Sequence, residues 1–270
     1  MSGYAGIDGL GKSIPTMYIG VDNIARPIQR AYIGVDGVAR LWYQNNIKLG
    51  SLKIGSVVKI KIGGTYRDFI VIHHGNPDEA IYDSSCNGTW LVQKNIYEKK
   101  EFNSTSAWPS RTNTYYGSKP SPLYTYLVED YYSTIDIIAK SNIKAIRLPY
   151  WHGNGDASSG WKCLSNGLYC RIFLLSPGEV GQGSMEKNND KTKPLAYFAE
   201  NSKNRIATMN GAAADWWVRI PQSGNHRYAW AVGTSGGLVY KTAGDSNAGV
   251  RPAFVMNDNA LVDKEGYIIE

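Results

Sequence analysis

The heptapeptide Asp215-Trp216-Trp217-Val218-Arg219-Ile220-Pro221 gives the clearest fold signal in the C-terminal part of the 270-residue chain. Its aromatic and β-branched residues predict a strand, along which successive side chains point to opposite faces. We therefore expect one of the two tryptophan rings in the core and the other on the opposite side of the sheet. A partly buried Arg219 on this strand requires carboxylate or carbonyl partners.

A second arginine lies in the predicted strand Val250-Arg251-Pro252-Ala253-Phe254-Val255. Like Arg219, Arg251 would hold a guanidinium next to the core, where an unpaired charge is costly. Glu179 and Asp215 are the candidate acidic partners. We interpret both arginines as structural clamps rather than as catalytic groups.

Further elements surround these two strands. Alternating apolar residues within residues 52–74 predict two strands joined by a Gly63-Gly64 turn. Ser121 as a cap, Pro122 at the first helical position and apolar residues at helical spacing predict a helix over residues 121–132. Three more strands are predicted at residues 145–148, 171–175 and 228–232. Long loops rich in Gly, Ser and Asn separate these elements, which favours an α+β domain.

The N-terminus contains three copies of one pattern, which begin 14 residues apart at Tyr4, Tyr18 and Tyr32. The copies are YAGIDGLGK, YIGVDNIAR and YIGVDGVAR. Asp-Gly or Asp-Asn between aliphatic residues predicts a tight turn, so each copy is expected to form a small β-hairpin. Because a hairpin of this size buries too little apolar surface to be stable alone, we expect the hairpins to dock on a partner surface.

The third copy continues into the large apolar residues Leu41-Trp42-Tyr43. We predict an attachment surface formed by tyrosines and arginines of the repeats together with two of these apolar residues. Its members are Tyr18, Tyr32, Arg26, Arg40, Trp42 and Tyr43. The surface that they contact is either another chain or the C-terminal domain of the same chain, and we favour another chain.

The repeat block, residues 4–43, resembles the short YIGVxGxARxxxxx repeats that precede diverse C-terminal domains in phage and prophage virion proteins of Gram-positive hosts. The first copy departs from this pattern, with Gly11-Lys12-Ser13 where the other copies have Ala-Arg. The resemblance implies a virion protein that is assembled in the host cytoplasm and contacts other virion proteins through residues 1–49.

Four landmarks within residues 50–265 resemble an uncharacterised bacterial and prophage domain family. They are IRLP at 146–149, IFLLSPGEV at 172–180, DWWVRIP at 215–221 and GVRPAF at 249–254. The last two are also similar to the C-type-lectin-like fold that the formylglycine-generating enzymes share. The resemblance implies an α+β protein with N-terminal β-hairpin repeats over residues 1–49 and a loop-rich C-type-lectin-like domain over residues 50–270.

Composition limits the partners that the chain could bind. The formal net charge is +6 and no stripe of Lys and Arg is present, so we do not expect nucleic acid as a partner. No apolar run reaches about 18 residues, so no membrane span is expected. The start lacks a basic segment followed by an apolar one, and we expect no signal peptide. Three cysteines cannot form a disulfide framework, which suits folding in a reducing cytoplasm.

Catalytic and metal-binding patterns are weak in this sequence. Gly233-Thr234-Ser235-Gly236-Gly237 fits G-x-S-x-G, but a strand follows where a nucleophile elbow requires a helix, so we predict a hairpin turn. His73 and His74 are adjacent on a predicted strand and point to opposite faces, so they do not readily chelate one metal. Residues 188–190 and 245–247 lack the spacing of a calcium loop and are predicted turns. We expect no catalytic residue, no metal and no cofactor.

Two of the cysteines raise the possibility of a disulfide. Cys163 and Cys170 flank Ser165-Asn166-Gly167 and would face each other if this segment is a hairpin. Formylglycine-generating enzymes use a cysteine pair close to their C-terminal motif, whereas residues 171–270 contain no cysteine. The resemblance therefore does not imply their enzymatic activity.

Aromatic residues cluster in two stretches rich in Gly, Ser and Asn. The candidate ligand-binding residues are Trp108, Tyr115, Tyr116, Trp151 and Trp161. Aromatic rings stack on sugar faces, and nearby Asn, Asp and Ser side chains can form hydrogen bonds with hydroxyls, which favours glycan recognition. A protein interface or plain core packing would use the same residues, and all three interpretations stay open.

These observations and resemblances lead to the hypothesis of a non-enzymatic structural protein of a phage-type particle, associated with the tail or baseplate. Its N-terminal repeats would contact other virion proteins, and its C-terminal domain would bind a host-surface glycan or protein, or a neighbouring subunit. A capsid decoration or head fibre protein is the alternative. An enzyme, either formylglycine-generating-like or cell-wall-modifying, is a further alternative. We expect a homo-oligomer, although no heptad pattern specifies its order.

Overall fold

The computed structural model describes residues 4–7, 10–13, 17–21, 24–28, 30–35, 38–44, 46–104, 120–151, 161–183, 190–222 and 227–269. Over these residues the strands are many and the helices are few and short, so the predicted α+β class is confirmed. Within the same residues, no helix has the length and apolar character that a bilayer span requires.

The strands are numbered in chain order. Six belong to the N-terminal repeats: β1 (Tyr4–Ile7), β2 (Leu10–Ser13), β3 (Met17–Val21), β4 (Ile24–Ile28), β5 (Arg30–Val35) and β6 (Val38–Gln44). The next five are β7 (Ile47–Lys48), β8 (Val57–Ile62), β9 (Thr65–His74), β10 (Thr89–Gln93) and β11 (Glu98–Lys99). The others are β12 (Ile146–Leu148), β13 (Leu168–Cys170), β14 (Ala207–Met209), β15 (Ala212–Ala214), β16 (Trp216–Pro221), β17 (Tyr228–Val232), β18 (Leu238–Thr242), β19 (Gly249–Val250), β20 (Ala253–Met256) and β21 (Leu261–Val262).

The helices are α1 (Pro122–Tyr126), α2 (Tyr132–Thr134), α3 (Ile137–Asn142) and α4 (Ala196–Glu200). A π-helical turn, Leu127–Tyr131, joins α1 to α2, so the helix predicted over residues 121–132 is confirmed. The Ser121 hydroxyl accepts a hydrogen bond from the backbone N–H of Tyr124 at 3.1 Å, as a helix cap does. Short 3₁₀ turns occur at Leu49–Ser51, Ser84–Cys86, Leu164–Asn166 and Ser202–Arg205.

Two sheets form the centre of the region that follows the repeats. One has the strand order β20-β10-β9-β8 and the other has the order β11-β19-β16-β17-β18. All neighbours in them run antiparallel except β16 and β19, which are parallel. The turn predicted between β8 and β9 is confirmed, with φ of +55° at Gly63 and +81° at Gly64. Glycine adopts this left-handed conformation at little cost, which explains the Gly-Gly pair.

The two tryptophans of β16 are both buried, because both faces of this strand are covered. The Trp216 Nε1 donates to the Arg205 carbonyl at 2.9 Å. The Trp217 Nε1 donates to the Lys100 carbonyl at 2.7 Å, and the Trp217 ring meets Phe102 edge-to-face. Both rings therefore belong to the core.

The strand predicted at residues 250–255 is divided between the two sheets. β19 ends at Val250 in the five-stranded sheet, and β20 begins at Ala253 in the four-stranded sheet. Pro252 lacks an N–H and so cannot donate to a strand ladder, although its carbonyl accepts from the Gln93 N–H at 2.9 Å. This Arg251-Pro252 step carries the chain from one sheet to the other.

The prediction of a strand at residues 171–175 is wrong. In this segment only Phe173 forms a bridge, with Ala253. The carbonyls of the next two residues accept hydrogen bonds from Arg219 instead, Leu174 from the guanidinium at 3.0 Å and Leu175 from the backbone N–H at 3.0 Å. The apolar run reflects burial inside the domain rather than a sheet ladder.

Each N-terminal repeat forms its own two-stranded antiparallel sheet, β1 with β2, β3 with β4 and β5 with β6. Within the part of the chain that the structure describes, none of these strands pairs outside its own sheet. Two repeat tyrosines are largely exposed, Tyr18 by 63% and Tyr32 by 57%. The other predicted attachment residues lie on β4 and β6, and their side chains lie outside the described residues: Arg26, Arg40, Trp42 and Tyr43.

Candidate functional site

An aromatic cleft of about 210 Å³ lies between the α1–α2 segment and strand β13. We define the aromatic cleft by its lining residues, Tyr124, Val128, Tyr132, Tyr169, Cys170 and Arg171. The first three are spaced four residues apart, so they lie on one side of the helical segment. The Tyr124 hydroxyl donates to the Tyr169 carbonyl at 3.3 Å and joins the two walls. On β13 the side chains alternate, which leaves Tyr169 48% exposed beside the buried Cys170.

Cations border the tyrosine rings of the aromatic cleft. The Arg171 guanidinium lies 5.9 Å from the Tyr132 ring centroid, and the Lys140 Nζ lies 5.3 Å from the same centroid. The Arg147 guanidinium lies 5.1 Å from the Tyr169 ring centroid. Flat aromatic faces with adjacent cations can stack on a sugar ring and attract an anionic substituent of that sugar.

The structure describes two of the five predicted ligand-binding aromatics. Trp151 is only 6% exposed, whereas Trp161 is half-buried. Their neighbours Tyr150 and Lys162 exchange two backbone hydrogen bonds of 2.7 Å, which bring the backbones of the two tryptophans together. The other three lie outside the described residues: Trp108, Tyr115 and Tyr116.

A buried ion pair between Glu179 and Arg219 lies at the centre of the domain, and both side chains are fully buried. The two guanidinium nitrogens donate to the two carboxylate oxygens at 2.5 and 2.7 Å. The same carboxylate accepts from the Tyr82 hydroxyl at 2.8 Å and from the Ser176 N–H at 2.9 Å. This confirms Glu179 as a partner of Arg219.

Electrostatics within this cluster favour the charged pair. Burial alone lowers the pKa of Arg219, but the Glu179 carboxylate outweighs burial and holds this pKa above its usual value. Burial and the same carboxylate raise the pKa of Tyr82 well above its usual value. The phenol therefore stays protonated and donates to Glu179.

The prediction that Asp215 could be an acidic partner of an arginine is wrong, because Asp215 pairs with Lys241. The Lys241 Nζ lies 3.0 Å from an Asp215 oxygen, and the other Asp215 oxygen accepts from the Thr234 N–H at 3.0 Å. Arg251 has no carboxylate partner among the described residues. Its guanidinium lies 4.9 Å from the Trp216 ring centroid instead.

The G-x-S-x-G segment forms the turn between β17 and β18, as predicted. The Gly233 N–H donates to the Gly237 carbonyl at 2.8 Å, and Gly236 has a φ of +84°. β18 begins at Leu238, where a nucleophile elbow would require a helix. The local structure is therefore that of a hairpin turn.

The two adjacent histidines contact different parts of the fold. A ring nitrogen of His74 lies 2.7 Å from the Leu52 carbonyl, and the other lies 3.1 Å from the Thr89 hydroxyl. His73 instead accepts from the Ala196 N–H at 3.4 Å, and burial together with the neighbouring His74 lowers the pKa of His73. As predicted, the pair does not converge on one point.

Carboxylates in the two segments considered for calcium are engaged within the chain. Asp190 accepts from the Thr192 N–H at 3.0 Å, and Asp245 accepts from the Asn247 N–H at 2.8 Å and pairs with Lys241. Residues 188 and 189 lie outside the described residues. Over the part of the chain that the structure covers, no group of three His, Cys, Asp or Glu residues is placed to hold a metal ion.

The three cysteines are free, so Cys163 and Cys170 are not joined by a disulfide. Cys86 and Cys170 are buried, and Cys163 is partly exposed. Burial raises the pKa of Cys86 to about 12 and raises the pKa of Cys170 as well.

We predict that a thiol reagent labels one cysteine per folded chain, and that this cysteine is Cys163. Because burial raises the pKa of Cys86 to about 12, its thiol is almost entirely protonated at pH 8, and the thiolate is the reactive form. Mass spectrometry after brief labelling should find modification at Cys163 alone, and three modified cysteines after unfolding. Rapid labelling of Cys86 or Cys170 in the folded protein would contradict the described packing.

Comparison with known protein families adds one match. Residues 87–258 match the family described as Domain of unknown function (DUF6273). The chain belongs to the DUF6273 family. No curated protein and no solved structure matches it.

The DUF6273 region includes the buried ion pair, Arg251 and the whole aromatic cleft. Strands β8 and β9 precede it, yet β9 pairs with β10 inside it and completes the four-stranded sheet. The aromatic cleft and the Glu179–Arg219 ion pair therefore lie within the region that defines the family.

Sequence reasoning did not single out Tyr124, Tyr132 and Arg171 as site residues. The sequence did contain a signal for this surface, because Tyr124 and Tyr132 are eight residues apart on a predicted helix and share one face of it. The pairing of this face with β13, which brings Tyr169 and Arg171 opposite, depends on tertiary packing.

Proposed function

We propose that this DUF6273 protein is a non-enzymatic attachment and binding protein of a phage-type particle, associated with the tail or baseplate. The N-terminal hairpins attach it to other virion proteins. The C-terminal region, with a C-type-lectin-like arrangement, presents the aromatic cleft to a glycan of the host surface.

The observation that supports attachment most strongly is the strand pairing of the three hairpins. Each pairs only with itself among the described residues, and large side chains on them are exposed, namely Tyr18, Ile19, Tyr32 and Val38. Two-stranded sheets with apolar exposed faces are marginal alone and gain stability by covering those faces. The resemblance of the repeats to those of virion proteins makes the particle the partner that we propose.

The aromatic cleft supports the binding half of the proposal. Its tyrosine faces and bordering cations suit a sugar with an anionic substituent. Tyrosine also combines a large contact area with few rotatable bonds, which lowers the entropy lost on binding. Tyr169 and Arg171 on one wall of the cleft are exposed, and we propose that the cleft holds part of a polymer chain rather than a fully enclosed small molecule.

The test of attachment uses the full-length protein and particles of the host prophage assembled without it. We expect saturable co-sedimentation, and gold-labelled protein should appear at the tail end by electron microscopy. Absence of binding would refute the attachment role. Labelling spread over the icosahedral shell would instead assign the protein to the capsid.

A further inference from the structure

The Arg251 guanidinium is buried without an acidic partner among the described residues. The residue is 1% exposed, and its buried Nη1 has no hydrogen-bond partner among the residues that the structure describes. Its Nε donates to the Gln93 carbonyl at 2.9 Å, and the guanidinium packs against the rings of Trp216 and Phe198. These contacts fix the orientation of the guanidinium but do not neutralise its charge.

A comparison with Arg219 indicates what Arg251 lacks. Both arginines are fully buried, but Glu179 holds the pKa of Arg219 above its usual value. Burial lowers the pKa of Arg251 to about 10. A buried cation is costly unless an opposite charge or hydrogen bonds offset its desolvation. Within the described part of the chain, Arg251 therefore lacks the compensating anion that Arg219 has.

Arg251 lines a cavity of about 240 Å³ beside the four-stranded sheet. Among its lining residues Arg251 is buried, whereas Lys94 and Lys203 are exposed, which is the arrangement of a cavity with the arginine on its inner wall and the lysines near solvent. Tyr197 and Thr208 are also among the lining residues, and the Thr208 hydroxyl donates to the Asn95 side chain at 3.0 Å. None of the described residues that line this cavity is Asp or Glu.

The two lysines differ in their partners. The Lys94 Nζ lies 3.6 Å from an exposed Asp68 oxygen, which is a weak contact. Lys203 has no ion-pair partner among the described residues and is exposed. One buried and two exposed cationic residues therefore line a cavity whose described lining contains no acidic residue.

We propose that this cavity is an oxyanion-binding site for a phosphate group, held by Arg251 at its inner end and by Lys94 and Lys203 at its mouth. The guanidinium fork fits the oxygens of a phosphate, and three cations suit a doubly charged anion better than a single carboxylate. The cavity shares no lining residue with the aromatic cleft. The proposal does not depend on the attachment role.

The test measures thermal unfolding and calorimetric binding of the full-length protein in inorganic phosphate, glycerol phosphate, acetate or chloride at one ionic strength. We expect the melting temperature to rise by about 3 °C at phosphate tenfold above its Kd, relative to chloride. Stronger binding of glycerol phosphate would assign the site to an esterified phosphate, and stronger binding of free phosphate would assign it to the ion. Both outcomes support the proposal.

Variants at Lys203 connect binding to the cavity without disturbing the core. Lys203→Gln should weaken phosphate binding by about tenfold, because one charge-assisted hydrogen bond is lost, whereas Lys203→Arg should retain it. Lys264→Gln, at an exposed lysine outside the cavity, serves as the matched control. Phosphate that acts no differently from chloride, acetate that binds better than phosphate, or undiminished binding by Lys203→Gln would overturn the proposal.

Discussion

Replacement of Glu179 by Gln should lower the free energy of unfolding by about 3–5 kcal/mol, the usual cost of removing one partner of a buried ion pair. For a protein of this size we expect a fall in melting temperature of about 10 °C. Each Glu179 oxygen accepts one guanidinium N–H and one further donor, from Tyr82 or Ser176. Whichever oxygen becomes the amide NH₂ then faces two donors, and Arg219 keeps a buried charge without a counterion.

A Glu-to-Gln replacement in a solvent-exposed ion pair serves as the control. Glu265 lies 3.5 Å from Lys264 with both side chains about half exposed, so Glu265→Gln should cost less than about 1 kcal/mol. Chemical denaturation of both variants beside the wild-type protein measures the difference. If Glu179→Gln were as stable as Glu265→Gln, the ion pair would not be a central structural clamp.

A double replacement of Tyr18 and Tyr32 by Thr should abolish most particle binding while leaving the melting temperature of the protein unchanged. Both tyrosines are more than half exposed, and threonine retains the β-branched preference for a strand. A tyrosine at the centre of an interface contributes about 2 kcal/mol, so each replacement should weaken binding about thirtyfold.

Tyr240→Thr provides the matched control for this experiment. Tyr240 is 59% exposed on β18, outside the hairpins, and its replacement should leave particle binding intact. Equal loss with Tyr240→Thr, or full binding by the Tyr18 and Tyr32 double variant, would contradict attachment through the hairpins. Co-sedimentation with particles assembled without the protein measures both outcomes.

Some of the fold was predictable because the signals were local. The helix after Ser121 follows from a cap, a proline and apolar spacing, and the turn at Gly63-Gly64 follows from the backbone freedom of glycine. Glu179 was named as a candidate partner of Arg219, because a buried guanidinium requires a carboxylate. In these cases the residues themselves specify the local backbone geometry or the kind of partner that a buried charge requires.

Other features depend on packing that a single sequence does not specify. Residues 172–175 have the apolar character of a strand, but the carbonyls of Leu174 and Leu175 accept hydrogen bonds from Arg219. Asp215 was assigned to an arginine, yet the hairpin of β17 and β18 brings Lys241 within 3.0 Å of it. Arg251 was expected to have a carboxylate or carbonyl partner, and its Nε donates to the Gln93 carbonyl, but neither candidate carboxylate lies against it and the guanidinium packs on Trp216 instead. Each outcome follows from elements that are distant along the chain.

The most direct test of the two-surface account compares one set of full-length variants on two targets, the particle and host cell-wall sacculi. The set contains the wild-type protein, the Tyr18→Thr/Tyr32→Thr variant and a Tyr169→Ala/Arg171→Gln variant of the aromatic cleft, whose two residues are exposed. We expect the hairpin variant to lose particle binding alone and the cleft variant to lose sacculus binding alone. Separate surfaces for attachment and host recognition would be contradicted if either variant lost both binding activities. They would also be contradicted if both variants kept both activities.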